Sequence, residues 1–390
     1  MPEPAQLRLA YFTNNALGDK IPGLSFSIFT VEGFHQAGSD CRLILHRRGK
    51  ESSADILRRR FDLNFNFKIA GLRAPKIGGS RQLFYWRAFF HLLAGDRNVL
   101  IARAVNFLPW AVRWKQIRRT RVFFEAHDFW SDPALREDPV TRGRKRYVRL
   151  ERTWLPQVDG IICVSRPQAK LYRRCYPGKT VITANTACRP PSSATRREYS
   201  FTLGYIGYFK PEKYPLDIVI KALSHTAIKQ ATLICIGAID QRPSEHLIRL
   251  ARKYSVAHRL HIYPWTTGQD LEKLKQRIDV GIVVMTDDFL NRIASPMKLL
   301  EYMSTGIPFI ASDLEGTRAL VGGGQQGLLV KNEPRAWAGA IDRIYADFHQ
   351  YEQMAAGCRR YARVNSWRHR AETILNQLGQ EGGRGAVVPR

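Results

Sequence analysis

The sequence is short of everything a membrane anchor, a disulfide scaffold or a thiolate metal site would need. No apolar run approaches the roughly 18–20 residues required to cross a bilayer. The start, Met1-Pro2-Glu3-Pro4-Ala5-Gln6, lacks the basic-then-apolar layout of a secretory signal, so the chain is expected to fold in the compartment where it is made. Six cysteines (Cys41, Cys163, Cys175, Cys188, Cys235, Cys358) are scattered with no Cys-x-x-Cys pair, which speaks against a zinc site and fits a reducing cytosol. There is no Asp-x-Asp triplet and no histidine cluster, so no catalytic metal is expected, and Asp287-Asp288 is not read as a metal site. The glycines at 322–324 follow no strand with dinucleotide-binding spacing.

Acidic residues are also scarce. Lys and Arg number 61 against 34 Asp and Glu, for a net charge of +27. The excess is uneven: residues 1–200 hold 36 basic and 16 acidic side chains, and the remainder holds 25 and 18. A field of that sign on the first half concentrates anionic partners: nucleic acid, anionic membrane or phosphorylated substrates.

What is present is a globular chain of 390 residues, 44% hydrophobic, long enough for two domains. Short apolar runs alternate with helical periods. Leu7–Phe12, Cys41–Leu45, Val99–Ala102, Val122–Phe124, Gly160–Val164 and Thr180–Thr183 read as strands, with a helix over Ser25–Ala37. The pattern restarts near Phe201, with strands at Phe201–Ile206, Ala231–Ile236, Leu260–Tyr263, Val280–Val284, Phe309–Ala311 and Gly327–Val330. The expectation is an α/β protein of two Rossmann-like, doubly wound parallel-sheet domains facing a cleft. Boundaries are placed at 1–188 for the first domain, 189–199 for a Pro/Ser-rich linker and 200–365 for the second domain. A helix over 366–378 and a disordered tail over 379–390 complete the chain.

The densest chemical signal is Ser295–Asp313. Ser295 can cap a helix, Pro296 suits its first turn, and Gly306 with Pro308 stops it before a strand. Such a helix start is an anion site. Lys298 and Glu301 share a face, the first a cation for a diphosphate, the second a double acceptor for a ribose diol. From spacing alone, a capped surface helix with an ion pair fits equally well.

The run Ser295-Pro-Met-Lys-Leu-Leu-Glu301-Tyr-Met-Ser-Thr-Gly306-Ile-Pro308-Phe-Ile-Ala-Ser-Asp313 resembles the donor-site segment of family-4-type glycosyltransferases of the GT-B fold. The resemblance extends to Leu203–Lys213, Phe124–Asp128, Val158–Ser165 and Val181–Asn185. It implies a retaining, metal-independent enzyme with no cofactor beyond a nucleotide-diphosphate-sugar co-substrate. It also implies a last helix that crosses back to the first domain. Gly207, Lys213, Ser295, Lys298 and Glu301 would bind the donor, together with Gly23 of the loop after the first strand, and His127 would point at the donor sugar. Three positions depart from the pattern: Ile293 stands where many relatives have a second Glu, Tyr208 where an Arg follows the phosphate-loop glycine, and Tyr214 where a Gly follows the loop lysine. Asp287, Asp288, Asn291 and Arg292 are the nearby substitutes, with no choice among them.

Trp110, Arg113, Trp114, Lys115, Arg118, Arg119 and Arg121 form a basic, aromatic stretch that reads as an amphipathic helix lying on anionic bilayers. The expected partners are thus a nucleotide-sugar donor, a glycan or lipid-linked acceptor and an anionic membrane touched by the basic first domain, with no nucleic acid. The expected location is cytoplasmic, at the inner face of the plasma membrane, in cell-surface polysaccharide or glycolipid synthesis. The rival readings are a nucleotide-sugar epimerase on the same fold and a non-enzymatic nucleic-acid-binding protein, the latter without any recognisable reading module.

Overall fold

A computed structural model describes residues 7–19, 22–47, 51–63, 67–74, 81–136, 139, 141–189, 200–238 and 241–384. The chain divides into two compact units: Met1–Thr186 with Trp367–Arg390, and Ala187–Ser366. Cys188 N donates to Asn365 O at 2.8 Å, and Cys188 bridges to Ser366, so the chain enters and leaves the second unit side by side. Residues 190–199, most of the expected linker, lie outside the described residues.

The first unit holds seven strands: β1 (Arg8–Ala16), β2 (Asp40–His46), β3 (Ile69–Leu72), β4 (Val99–Ala102), β5 (Arg121–Ala126), β6 (Gly160–Cys163) and β7 (Thr180–Thr183). They pair in parallel in the order β3-β2-β1-β4-β5-β6-β7. The second holds β8 (Thr202–Ile206), β9 (Thr232–Ala238), β10 (Leu260–Pro264), β11 (Val280–Val283), β12 (Phe309–Ser312) and β13 (Gly327–Val330), parallel in the order β10-β9-β8-β11-β12-β13. Helices cover both faces of the inner strands, and β4, β6, β11 and β12 are buried throughout. That is why Val99-Leu-Ile-Ala102 and Phe309-Ile-Ala311 are apolar without alternation. Each sheet reverses its strand order once, between β1 and β4 and between β8 and β11, and in such sheets ligands bind at the carboxyl ends of strands beside the reversal.

Several local expectations change. β1 runs on to Ala16 and the next helix begins at Pro22, so Asn14 and Asn15 are strand residues and Gly23 sits in a helical first turn, not in a loop. Proline at a helix start, where its missing N–H costs nothing, accounts for the earlier beginning. The short edge strand β3 carries only Ile-Ala-Gly-Leu, too little pattern to be read from sequence. The last helix spans Trp367–Arg384, continuing through Gly379 beyond the expected end at 378; residues 385–390 lie outside the described residues.

That last helix is fastened to the first unit's core. It packs on the helix Pro22–Gln36, and at Gly33 a Cβ would meet Trp367 O at 2.3 Å, so only glycine permits the approach. Arg370 Nη2 reaches Glu125 Oε1 at 2.5 Å, and both side chains are almost wholly buried. Tyr11 Oη donates to the same carboxylate. Burial alone would raise the Glu125 pKa. The Arg370 charge outweighs it, with help from His127 and Tyr11, and holds the group at about 2.

A buried pair of this kind strongly destabilises when one partner is removed, because the other charge is stranded. Arg370→Met should therefore cost about 3–5 kcal/mol in denaturant unfolding. Because the folded pKa of Glu125 is depressed, its stabilising contribution is full above the unfolded value near 4.5 and is lost as pH falls through about 2. Acid unfolding of the wild type should show that loss, and Arg370→Met should lack it.

Candidate functional site

The reversal of strand order in the second sheet lies at β8, and Gly207 directly follows β8. Its φ of +141° belongs to glycine, and a Cβ there would lie 2.6 Å from Lys298 Cε. The lysine chain thus crosses directly over the strand end. Lys298 lies in the first turn of the helix Met297–Ser304. Its ammonium donates to Tyr205 Oη at 2.7 Å and sits 4.2 Å from the Tyr205 ring centre and 3.5 Å from that of Tyr214. No carboxylate accompanies it in these contacts. Aromatic faces attract a cation but do not replace its water shell, so burial pulls the Lys298 pKa down to about 7. Among the described residues, the contacts of this cation are with a hydroxyl and two rings, not with a carboxylate.

Glu301, one turn further along, does not pair with Lys298 as the three-residue spacing suggested. Its Oε1 accepts from Lys275 Nζ at 2.5 Å, and the same ammonium reaches Glu272 Oε1 at 2.6 Å. Lys275 ends the helix Gly268–Lys275 and is 4% exposed. Burial opposes ionisation of Glu301, but the Lys275 charge and hydrogen bond, with Arg189, hold its pKa below the usual range. Burial likewise acts against the Lys275 charge, and the two carboxylates raise its pKa on balance. Glu301 is thus an anchored carboxylate.

Ser295 is not the helix cap. Pro296 occupies that position without a side-chain bond, and Ser295 Oγ is buried with no partner, because Pro296 displaces the helix start by one residue. Lys213 is exposed in the loop after β8, where its carbonyl accepts from Thr286 N at 2.9 Å. Among the substitutes for the Glu replaced by Ile293, Asp288 caps the short helix Phe289–Ile293 and accepts from Thr286 Oγ1 and Asn291 Nδ2. Asn291 also donates to Thr286 O, and Arg292 Nε pairs with Asp287 Oδ1 at 2.6 Å. Asp288 with Asn291 and Asp287 with Arg292 thus form two local pairs at this short helix, and Ile293 is buried. Tyr205, Tyr214 and Lys275 were not singled out from sequence as site residues. Tyr214 was visible as a departure, but its role needs the fold to bring it over Lys298.

In the first unit, His127 directly follows β5. Its Nε2 lies 3.4 Å from Glu125 Oε2, and Phe26 stacks edge-on at 4.3 Å between ring centres. Burial and the Arg103 charge outweigh Glu125 and bring its pKa down to about 4, so the imidazole is neutral at pH 7. The ionised Glu125 accepts a hydrogen bond from Nε2–H, leaving Nδ1 as an acceptor. Gly23 is packed under Arg103, whose Nη1 donates to Gly23 O at 2.9 Å, and the buried Asn15 Nδ2 beside it has no partner. Among the described residues, no three His, Cys, Asp or Glu side chains group in a way that could hold a metal ion.

Residues 200–347 match the family model described as glycosyl transferases group 1. That match lies wholly within the second unit. Curated relatives of this kind include the D-inositol 3-phosphate glycosyltransferases of Salinispora tropica, 28% identical over 47% of this chain, and Stackebrandtia nassauensis, 26% identical over 49%. The matches span only 39% and 44% of those relatives' lengths. The whole chain has the GT-B fold. Anabaena HepE, solved with UDP and glucose, superposes with a TM-score of 0.71 at 14% identity, over 96% of this chain and 99% of its own. The pneumococcal O-GlcNAc transferase GtfA, solved with UDP and GlcNAc, gives 0.70 at 13% identity over 97% and 99%. The matched segment contains Gly207, Lys213, Tyr214, Lys275, Lys298 and Glu301.

Two outcomes follow from the state of Lys298. Lys298→Met removes a half-buried cation that no carboxylate accompanies among the described residues, so its thermal midpoint should equal or exceed that of the wild type, while nucleoside diphosphate affinity falls about ten- to hundredfold, the loss of one charged hydrogen bond. Lys298 must be protonated to hold an anion, and its folded pKa is about 7. Affinity should therefore fall with rising pH above neutrality, by up to about tenfold per pH unit, in a range where the phosphate is already fully ionised. Calorimetric titration against pH checks both, and a flat profile would contradict the assignment.

Proposed function

We propose that the protein transfers a glycosyl group from a nucleotide-diphosphate sugar to a glycan or lipid-linked acceptor, with retention of configuration. The observation that carries this reading is Lys298, a half-buried ammonium on two tyrosine rings at a strand end beside a sheet reversal, with no carboxylate in contact among the described residues. The leaving diphosphate is the anion it awaits. In the reaction the bond from the sugar C1 to the diphosphate oxygen breaks and a bond from C1 to an acceptor oxygen forms. The acceptor proton passes to the leaving phosphate. Lys298, the start of the helix Met297–Ser304 and the exposed Lys213 favour that step because negative charge grows there. Ser295 Oγ, buried and unpaired, is one further polar group at this helix start.

In this reading Glu301 takes the ribose hydroxyls on the oxygen that Lys275 leaves open, and His127 accepts a hydrogen bond from a sugar hydroxyl at Nδ1. Gly23 completes the donor set at the first unit's own reversal. UDP is the first nucleotide to test, since the solved neighbours named above hold UDP. A phosphate-bearing acceptor suits the basic first half of the chain, and the curated relatives act on D-inositol 3-phosphate, also an anion. A lipid-linked acceptor places the protein at the cytoplasmic face of a membrane, in cell-surface glycan synthesis.

Thermal stabilisation against a panel of nucleoside diphosphates and their sugars tests the donor claim. UDP should raise the midpoint saturably in the wild type and much less in Glu301→Ala, and no shift with any nucleotide would overturn it. His127→Ala should retain the shift while turnover drops about ten- to hundredfold, the worth of one hydrogen bond made at a buried group.

A further inference from the structure

The basic stretch around Trp110 does not fold as a free amphipathic helix. In the helix Leu108–Arg118, Trp114 is fully buried and its Nε1 donates to Leu92 O at 3.1 Å, while Leu108, Ala111 and Val112 face the core. Only its outer side remains, and it lies beside the outer side of the helix Gln82–Ala94. Trp86 and Phe90 from one helix and Ile117 from the other are 49%, 51% and 62% exposed. These are three of the six large apolar side chains exposed among the described residues. Half-buried Trp110 joins the two helices, with its ring centre 5.6 Å from that of Trp86, and Trp86 is 5.1 Å from Phe90. Neither helix carries a single Asp or Glu. Exposed Arg87 and Arg113 flank the aromatics, with the Arg113 guanidinium 5.4 Å from the Trp110 ring centre.

We propose that this two-helix face is a docking surface for an anionic lipid bilayer. Two tryptophans, a phenylalanine and an isoleucine supply the rings and alkyl bulk that settle at the boundary of headgroup and acyl chain, and flanking arginines meet lipid phosphates. The charge argues against a second copy of the chain, since a self-pairing face would bring its own arginines together. A nucleic acid is also anionic, but the face offers no aromatic platform on a sheet or groove that tracks a strand. This inference deepens the proposed membrane location and rests on that part of the reading, not on the donor site.

The full chain would be sedimented with vesicles of phosphatidylcholine alone and of phosphatidylcholine mixed with phosphatidylglycerol. The wild type should bind the anionic vesicles and leave the neutral ones. Trp86→Ser/Phe90→Ser/Ile117→Ser should lower the partition coefficient at least about tenfold, and Arg87→Gln/Arg113→Gln should shrink the difference between the two vesicle kinds. Wild-type tryptophan fluorescence, quenched by brominated lipid in anionic vesicles, gives a reading that needs no variant. Thermal midpoints and the UDP shift, measured on the same samples, should match the wild type in both variants. Retained vesicle binding by the triple variant, or no wild-type binding, overturns the surface assignment. So does a lipid-free dimer or an RNA complex that the triple variant alone abolishes. Vesicle binding without any UDP shift would instead sink the donor reading and leave this surface standing.

Discussion

A parallel sheet brings the carboxyl ends of all its strands to one edge, and where the strand order reverses, the connecting loops leave that edge in opposite directions. Both units are built under this constraint, and the chemistry-bearing residues collect where it acts. Gly207 directly follows β8 at the second reversal, with Lys298 crossing over it. Asn15, near the end of β1, and Arg103, just past β4, flank the first, with Gly23 beneath them and His127 one strand away.

Each site is set by how its charges are buried. Lys298 is held by aromatic faces and one hydroxyl, with no carboxylate in contact among the described residues. Glu301 is treated in the opposite way. Lys275 neutralises it from below, keeps it ionised and fixes its position, and Glu272 satisfies the same lysine. In the first unit Glu125 plays a double part, as the anchor of Arg370 on the returning helix and as the carboxylate facing His127. Stability and site geometry therefore share one buried residue there.

Much of this was legible in the sequence because it is written in local signals. Apolar runs at regular intervals identify parallel strands covered on both faces. The Ser-Pro start, the Lys298–Glu301 spacing and the Gly306-x-Pro308 stop place a helix between two strands. The losses are equally specific. The helix start moved past Ser295 because Pro296 takes the cap position, and the basic stretch at 108–118 turned its Trp114 inward because a neighbouring helix offered Leu92 O. Leu92 is neither near Trp114 in sequence nor marked by a motif.

The sequence by itself determined the class of fold, the order along the chain of every strand but the short edge strand β3, and the spacing of Lys298 and Glu301 on one helix. It could do so because strand burial, helix capping and glycine placement depend on residues a few positions apart. Only the tertiary structure decided which charge each of these meets. Lys298 faces Tyr205 and Tyr214 rather than Glu301, Glu301 faces Lys275 from another helix, and Arg370 returns from the end of the chain to Glu125. Charge–charge and charge–aromatic energies depend on distance in space and on burial, and sequence spacing carries neither.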